Sequence, residues 1–146
     1  MTCSVSGDYE FDDQSARVAL DVVWSFLSTT AYWARWRTRD DVAQQVRGAW
    51  RVVGVYRRDD GGMVGFARAV SDGVAFAYLA DVFVLPAHRG QGLGEQLVAT
   101  MIDEGAGAKF RWLLHTADAH DLYARFGFAS PDETVLERPG ARAARG

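Results

Sequence analysis

Cysteine is almost missing from this chain: Cys3 stands alone, which excludes an intramolecular disulfide and a cysteine-built metal site. No apolar run approaches the roughly 20 residues that a membrane-spanning helix needs, so no membrane partner is expected. The opening residues, Met1-Thr-Cys-Ser-Val-Ser-Gly-Asp8, lack both the basic n-region and the apolar h-region of a secretory signal. A soluble cytoplasmic protein is the expectation. A basic surplus is also absent: the net charge is −3, whereas a protein that holds nucleic acid by neutralising phosphates needs the opposite sign. Arg35, Arg37 and Arg39 do cluster, in the manner that usually marks a solvated face. What is present is an ordinary globular balance, 49% hydrophobic and 24% charged, sufficient to bury a core. The 146 residues suit one domain, read as 1–140, with a polar arginine-bearing tail at 141–146 expected to be disordered.

Along the chain the hydrophobic period changes repeatedly. Tyr9–Phe11 predicts a short strand. Val18, Val22, Val23, Phe26 and Leu27 recur at helical spacing, predicting a helix from Gln14 to Ser28 capped by Asp12 or Asp13. Thr38 with Asp41 three residues on has the form of a capping box before a second helix. Trp50–Arg57 and Met63–Val70 are β-branched and aromatic around Asp59-Asp-Gly-Gly62, so they predict a hairpin. Ala75–Leu85 is apolar apart from Asp81, as a strand buried on both faces should be. After a glycine-rich loop, Leu93, Leu97, Val98, Met101 and Ile102 predict an amphipathic helix ended by Gly105 and Gly107. A strand at Arg111–His115, a helix at Ala119–Phe126 and a last edge strand at Thr134–Glu137 complete the order. Antiparallel hairpins followed by a β-α-β unit predict a mixed sheet covered by helices.

Arg89-Gly90-Gln91-Gly92-Leu93-Gly94 lies between the buried strand and the amphipathic helix. A helix start leaves backbone N–H groups unpaired and carries partial positive charge. Glycines allow those groups to converge without a Cβ in the way, which makes a cradle for phosphate. A Walker-type loop would continue with Lys-Ser/Thr, but Glu95-Gln96 stands there. A dinucleotide fold would place Gly-x-Gly-x-x-Gly near the first strand, whereas this is Gly-x-Gly-x-Gly after the fourth.

Val84-Leu-Pro-Ala-His-Arg-Gly-Gln-Gly-Leu-Gly94 resembles the acetyl-CoA signature of the GNAT superfamily of N-acetyltransferases, Gln/Arg-x-x-Gly-x-Gly/Ala, at Arg89, Gly92 and Gly94. Ala119-His-Asp-Leu-Tyr-Ala-Arg-Phe-Gly-Phe128 resembles a second block of that family, in its order and at its usual separation. The resemblance covers Tyr9 to Glu137. It implies a GNAT-like α/β (α+β) fold: a mixed, mostly antiparallel central sheet with helices on both faces, splayed at strands 4 and 5. It also implies acetyl-CoA as acyl donor and coenzyme A as product. The pyrophosphate would lie on the backbone of Arg89, Gly90, Gln91, Gly92, Leu93 and Gly94, and the pantetheine arm near Phe83 and Val84. Many relatives carry an asparagine seven residues before the tyrosine; Thr116 stands there, with a hydroxyl that can still bond the cofactor.

The implied reaction is direct transfer of the acetyl group to a primary amine on a small molecule or peptide. By family match Tyr123 protonates the departing thiolate. Asp81, a lone carboxylate in an apolar strand, is the conspicuous base, with two alternatives: an anchor for the substrate ammonium, or a partner for an arginine. Tyr78 stands near it. Tyr32, Trp33 and Trp36 lie between the first two helices, where the family's acceptor site is lined, and aromatic walls suit a cationic amine. His115, Asp118 and His120 have the form His-x-x-Asp-x-His, which could suggest a metal site. Strand alternation followed by a helix start would spread them apart, and Asp118 fits better as a helix cap. The rival reading is a non-catalytic acyl-CoA-binding sensor or interaction domain with the same fold. An exposed edge strand would suit a homodimer.

Overall fold

The computed structural model describes residues 2–31 and 36–141. Six strands form one sheet in chain order: β1 (Thr2–Ser6), β2 (Tyr9–Asp12), β3 (Arg51–Arg57), β4 (Met63–Ser71), β5 (Phe76–Val84) and β6 (Arg111–Leu113). Neighbours are antiparallel except β5 and β6, which are parallel. Four helices accompany them: α1 (Leu20–Thr29), α2 (Arg39–Gly48), α3 (Leu93–Ile102) and α4 (His120–Ala124). Parallel neighbours need a long crossover, and α3 provides it. The mixed, mostly antiparallel sheet is the one that the sequence predicts. Among the described residues no helix is long and apolar enough to cross a membrane.

The sheet is buried on both faces. In β3, Val53 and Val55 pack with Leu97, Val98 and Met101 of α3, while Val52 and Tyr56 pack with Val23, Phe26 and Leu27 of α1 and Val42 of α2. This is the period-2 alternation of a strand. Each fully buried Leu, Val or Phe stabilises the fold by about 1.5–3 kcal/mol. Gly54 is required at its position: a Cβ there would lie 2.3 Å from Tyr56 Oη, because the Tyr56 ring lies across it. The capping box forms as expected, with Thr38 N–H donating to Asp41 at 2.9 Å and Asp41 N–H donating to Thr38 Oγ1 at 3.1 Å.

Three boundaries differ from the sequence expectation. The strand at Tyr9 is the second; β1 precedes it as an edge strand with one neighbour, so it has little apolar pattern to show, and its Val5 is 54% exposed. The first helix begins at Leu20, capped by no side chain. Asp12 instead accepts from Gln14 N–H and from Arg17, each at 3.0 Å, and holds the turn at Ser15–Arg17. No strand forms at Thr134–Glu137. There Thr134 donates its N–H and its hydroxyl to Asp132, a local turn that competes with ladder pairing.

Two irregularities in β5 shape the molecule. Phe66 pairs with Phe83 but Arg68 pairs with Ala80, so β5 carries one extra residue against β4, a β-bulge. Leu79 and Val82, three apart, both pack toward α3, which strict alternation forbids. The extra residue is Asp81, with φ of 55°, and the bulge turns its side chain to the α1/α2 face. Farther along, β6 pairs with β5 only at Phe76, Ala77 and Tyr78. From residue 79 to 84 that edge of β5 is open, and the two strands part as the resemblance implies.

Candidate active site

The loop after β5 is anchored at both ends. Leu85 N–H donates to Val64 O at 2.8 Å, the chain makes one tight turn at Pro86–His88, and Arg89 Nε donates back to Val84 O at 2.9 Å. Gly90 and Gly92 then take φ of 82° and 76°, the left-handed region that residues with a Cβ avoid. Gly92 is the cap residue of α3. Among the described residues, no hydrogen bond uses the backbone N–H of residues 90–94 as donor. A Cβ built at Gly90, Gly92 or Gly94 would meet nothing within 4 Å. Free N–H groups, the helix start and open space beside them fit a phosphate group. Gln91 turns its amide to Tyr9 Oη at 3.2 Å, so its contribution to the cradle is its backbone, and Leu93 is buried beneath it.

This cradle opens onto a cleft of about 290 Å³ that runs where β5 and β6 part, between Val82–Val84 on one side and Leu122 and Tyr123 of α4 on the other. Phe83 and Val84 are buried, and Phe83 stacks on Phe26 of α1 with ring centroids 4.2 Å apart. The open edge of β5 leaves strand backbone available to a bound chain. Tyr123 is buried, edge-on to Phe128 at 5.8 Å. Burial, reinforced by the Asp118 carboxylate, pushes its hydroxyl up to about 12, so it remains a donor across the physiological range. Thr116 Oγ1 accepts from Ala119 N–H at 3.1 Å; this threonine, and not Asp118, holds the start of α4. Its hydroxyl hydrogen is left for another partner.

Asp81 lies deep in the α1/α2 face. Its two oxygens accept from Arg37 Nη1 and Nη2, each at 2.8 Å, and Oδ2 also accepts from Arg68 Nε at 2.6 Å. Burial alone would raise the carboxyl, but these hydrogen bonds and charges hold it below the usual carboxylate range. A carboxylate so held is a weak base. Of the three roles open to Asp81 from sequence, the arginine partner is the one this geometry favours. Arg37 itself is 6% exposed, which corrects its reading as part of a solvated cluster. Gln45 of α2 accepts from the same guanidinium at 2.6 Å, and the half-buried Trp36 ring lies 5.8 Å from it. Tyr32 and Trp33 lie outside the described residues. No local pattern could have shown Arg37 as a core residue, because its carboxylate lies 44 positions away.

Tyr78 also faces α1/α2, half-buried, with its hydroxyl 2.5 Å from His115 Nδ1. His115 Nε2 lies 2.5 Å from Glu137. Sequence reasoning missed this contact, since His115 had a signal only as a metal ligand and Glu137 only as a strand residue. Among the described residues no group of three His, Cys, Asp or Glu side chains could hold a metal ion.

Comparison with known proteins places this geometry among relatives. Residues 50–130 match the family model described as an acetyltransferase (GNAT) domain. A crystal structure from Xanthomonas campestris, of a protein assigned to the GNAT family of acetyltransferases, is 34% identical; it aligns over 90% of this chain and 93% of its own, with a TM-score of 0.82. A Gibberella zeae protein assigned as an acetyltransferase is 29% identical over 134 residues, 84% of this chain and 73% of its own length. A Deinococcus radiodurans structure, also assigned as an acetyltransferase, is 24% identical over 94% of both chains with a TM-score of 0.70, a likeness of fold.

Proposed function

The chain belongs to the GNAT family of acetyltransferases, and from that premise we propose that it transfers an acetyl group from acetyl-CoA to a primary amine by direct attack on the thioester. The observation that carries this reading is the row of unpaired N–H groups at residues 90–94, opening onto a cleft whose far wall bears Tyr123. Acetyl-CoA, when bound, supplies an activated acetyl thioester. The glycine loop would hold its pyrophosphate, and the free edge of β5 at Phe83 and Val84 would bond the pantetheine amides.

Tyr123 acts at the sulfur. A free thiol has a pKa of about 8.5, well below that of a phenol pushed up to about 12, so complete proton transfer to the departing sulfur is uphill. The hydroxyl therefore works chiefly as a hydrogen-bond donor that stabilises charge developing on the departing sulfur. Asp81, held by Arg37 and Arg68, ties Arg37, just before α2, to β5, a structural role and not that of a base. The acceptor is a small molecule or a peptide amine, and a cytoplasmic setting, where acyl-CoA is made and used, suits it. The test is thiol release from acetyl-CoA over a panel of alkylamines, arylalkylamines and peptides. Release that depends on one amine class, with the acetylated amine recovered, is expected. Tight acetyl-CoA binding with no transfer to any amine would overturn the reading in favour of an acyl-CoA sensor.

A further inference from the structure

An amine acceptor reaches a protein mainly as its ammonium ion, with a pKa near the roughly 10.4 of a lysine side chain, and must lose a proton before it can attack. Asp81 is poorly suited to take that proton, since two arginines already share its oxygens. The same face of β5 offers another route. Pairing with β6 ends at Tyr78 opposite Leu113, so Tyr78 stands at the apex where the strands part. Phe83, which lines the cleft, lies on the same face of β5. From this apex the hydroxyl reaches His115 Nδ1 at 2.5 Å, and His115 Nε2 reaches Glu137 at 2.5 Å. A carboxylate only accepts, so Nε2 carries the ring proton and Nδ1 is free to receive the tyrosine's. The His115 and Glu137 side chains are each 58% exposed, so the chain of contacts leads from a half-buried hydroxyl out to water.

Resting on the amine-acceptor reading, we infer that Tyr78, His115 and Glu137 form a proton relay that carries the acceptor's first proton from the acyl-transfer site to solvent. The ammonium gives a proton to the Tyr78 oxygen as Tyr78 gives its own to His115 Nδ1. The imidazolium so formed, paired with Glu137, releases a proton to water. The free amine then forms the nitrogen–carbon bond to the acetyl group while the carbon–sulfur bond breaks, and its second proton ends on the departing sulfur. Tyr78 remains a phenol throughout, in keeping with burial, which pushes its hydroxyl up. The charges that bear on it are Glu137 from the segment after α4, Arg68 from β4 and Asp81 from β5.

The experiment compares the wild type with His115→Asn, Tyr78→Phe and Glu137→Gln in single-turnover transfer, using an alkylamine such as phenethylamine and an arylamine such as aniline as probes. The arylamine is neutral at pH 7 and needs no relay. For the alkylamine, His115→Asn and Tyr78→Phe should lose about 10²-fold at pH 7, the low end for acid–base groups, and regain rate as pH rises toward the amine's own pKa. The arylamine rate and the acetyl-CoA affinity should change by less than about threefold, since neither uses the proton path. Glu137→Gln, at an exposed site, should show a smaller loss with the same pH recovery. Equal losses for both amines at every pH, or no loss, would overturn the relay alone. A wild type that acetylates no amine would overturn the amine reading and the relay with it.

Discussion

Tyr123 and Asp81 are both buried and both ionisable, yet their surroundings push them in opposite directions. Burial, with the Asp118 charge, pushes the Tyr123 hydroxyl up to about 12, which preserves its proton. Tyr123→Phe should therefore keep the ring against Phe128 and lower the rate of the chemical step by about 10²-fold, with acetyl-CoA affinity unchanged by calorimetry. The loss should persist above about pH 8.5, because a hydroxyl pushed up to about 12 still donates to the departing sulfur where a free thiol is already ionised. Asp81, by contrast, is held ionised by Arg37 and Arg68. Asp81→Asn leaves two guanidinium groups without their carboxylate, Arg37 almost wholly buried. Breaking such a pair costs about 3–5 kcal/mol, measurable by urea denaturation. Because the folded carboxyl titrates below its unfolded value of about 3.9, its contribution is fully present above that value. It is lost as pH falls through the lower folded value, so the gap between wild type and variant should close on acidification.

At the scale of elements, the loop and α3 offer a clean separation of folding from binding. Gly92 caps α3 in the left-handed region, at φ of 76°, so Gly92→Val strains the backbone by about 1–2 kcal/mol as well as filling the cradle. Gly94 has no such constraint, and a Cβ there meets nothing within 4 Å. Gly94→Leu should thus melt within about 2 °C of the wild type while abolishing acetyl-CoA binding by calorimetry; normal binding by this variant would remove the pyrophosphate from the loop. The loop and α3 were legible because their signals are local: glycines beside a 3.6-residue apolar period. The bulge in β5 was not, since a strand apolar on nearly every residue looks the same whichever way each side chain faces.

For the whole molecule, a ligand that binds only the folded state stabilises it by mass action. Acetyl-CoA at 100 times its dissociation constant should add about 2.7 kcal/mol, or about 5–10 °C in Tm for a domain of this size, and coenzyme A should act similarly, because the cradle holds the part that both share. Thermal melts with and without ligand check this; no shift would remove the cofactor assignment. The two cores on opposite faces of one sheet suggest that loss of either unfolds the whole. Leu97→Ala, at a fully buried position, should cost about 2–5 kcal/mol and lower the stability of free and acetyl-CoA-bound protein alike.

What the sequence determined by itself is everything set within one turn or one strand: the glycine cradle, the amphipathic face of α3, the capping box of α2, the β3–β4 hairpin and the two blocks that resemble the family. Neighbours in sequence decide these, through backbone freedom and periodicity. Only the tertiary structure decided which groups meet across the chain. It paired Asp81 with Arg37, brought Glu137 and His115 to Tyr78, added β1 to the edge of the sheet, and withheld a strand from residues 134–137. Such contacts close loops of tens of residues. That closure costs conformational entropy whatever the residues at its ends, and packing summed over both faces of the sheet repays it.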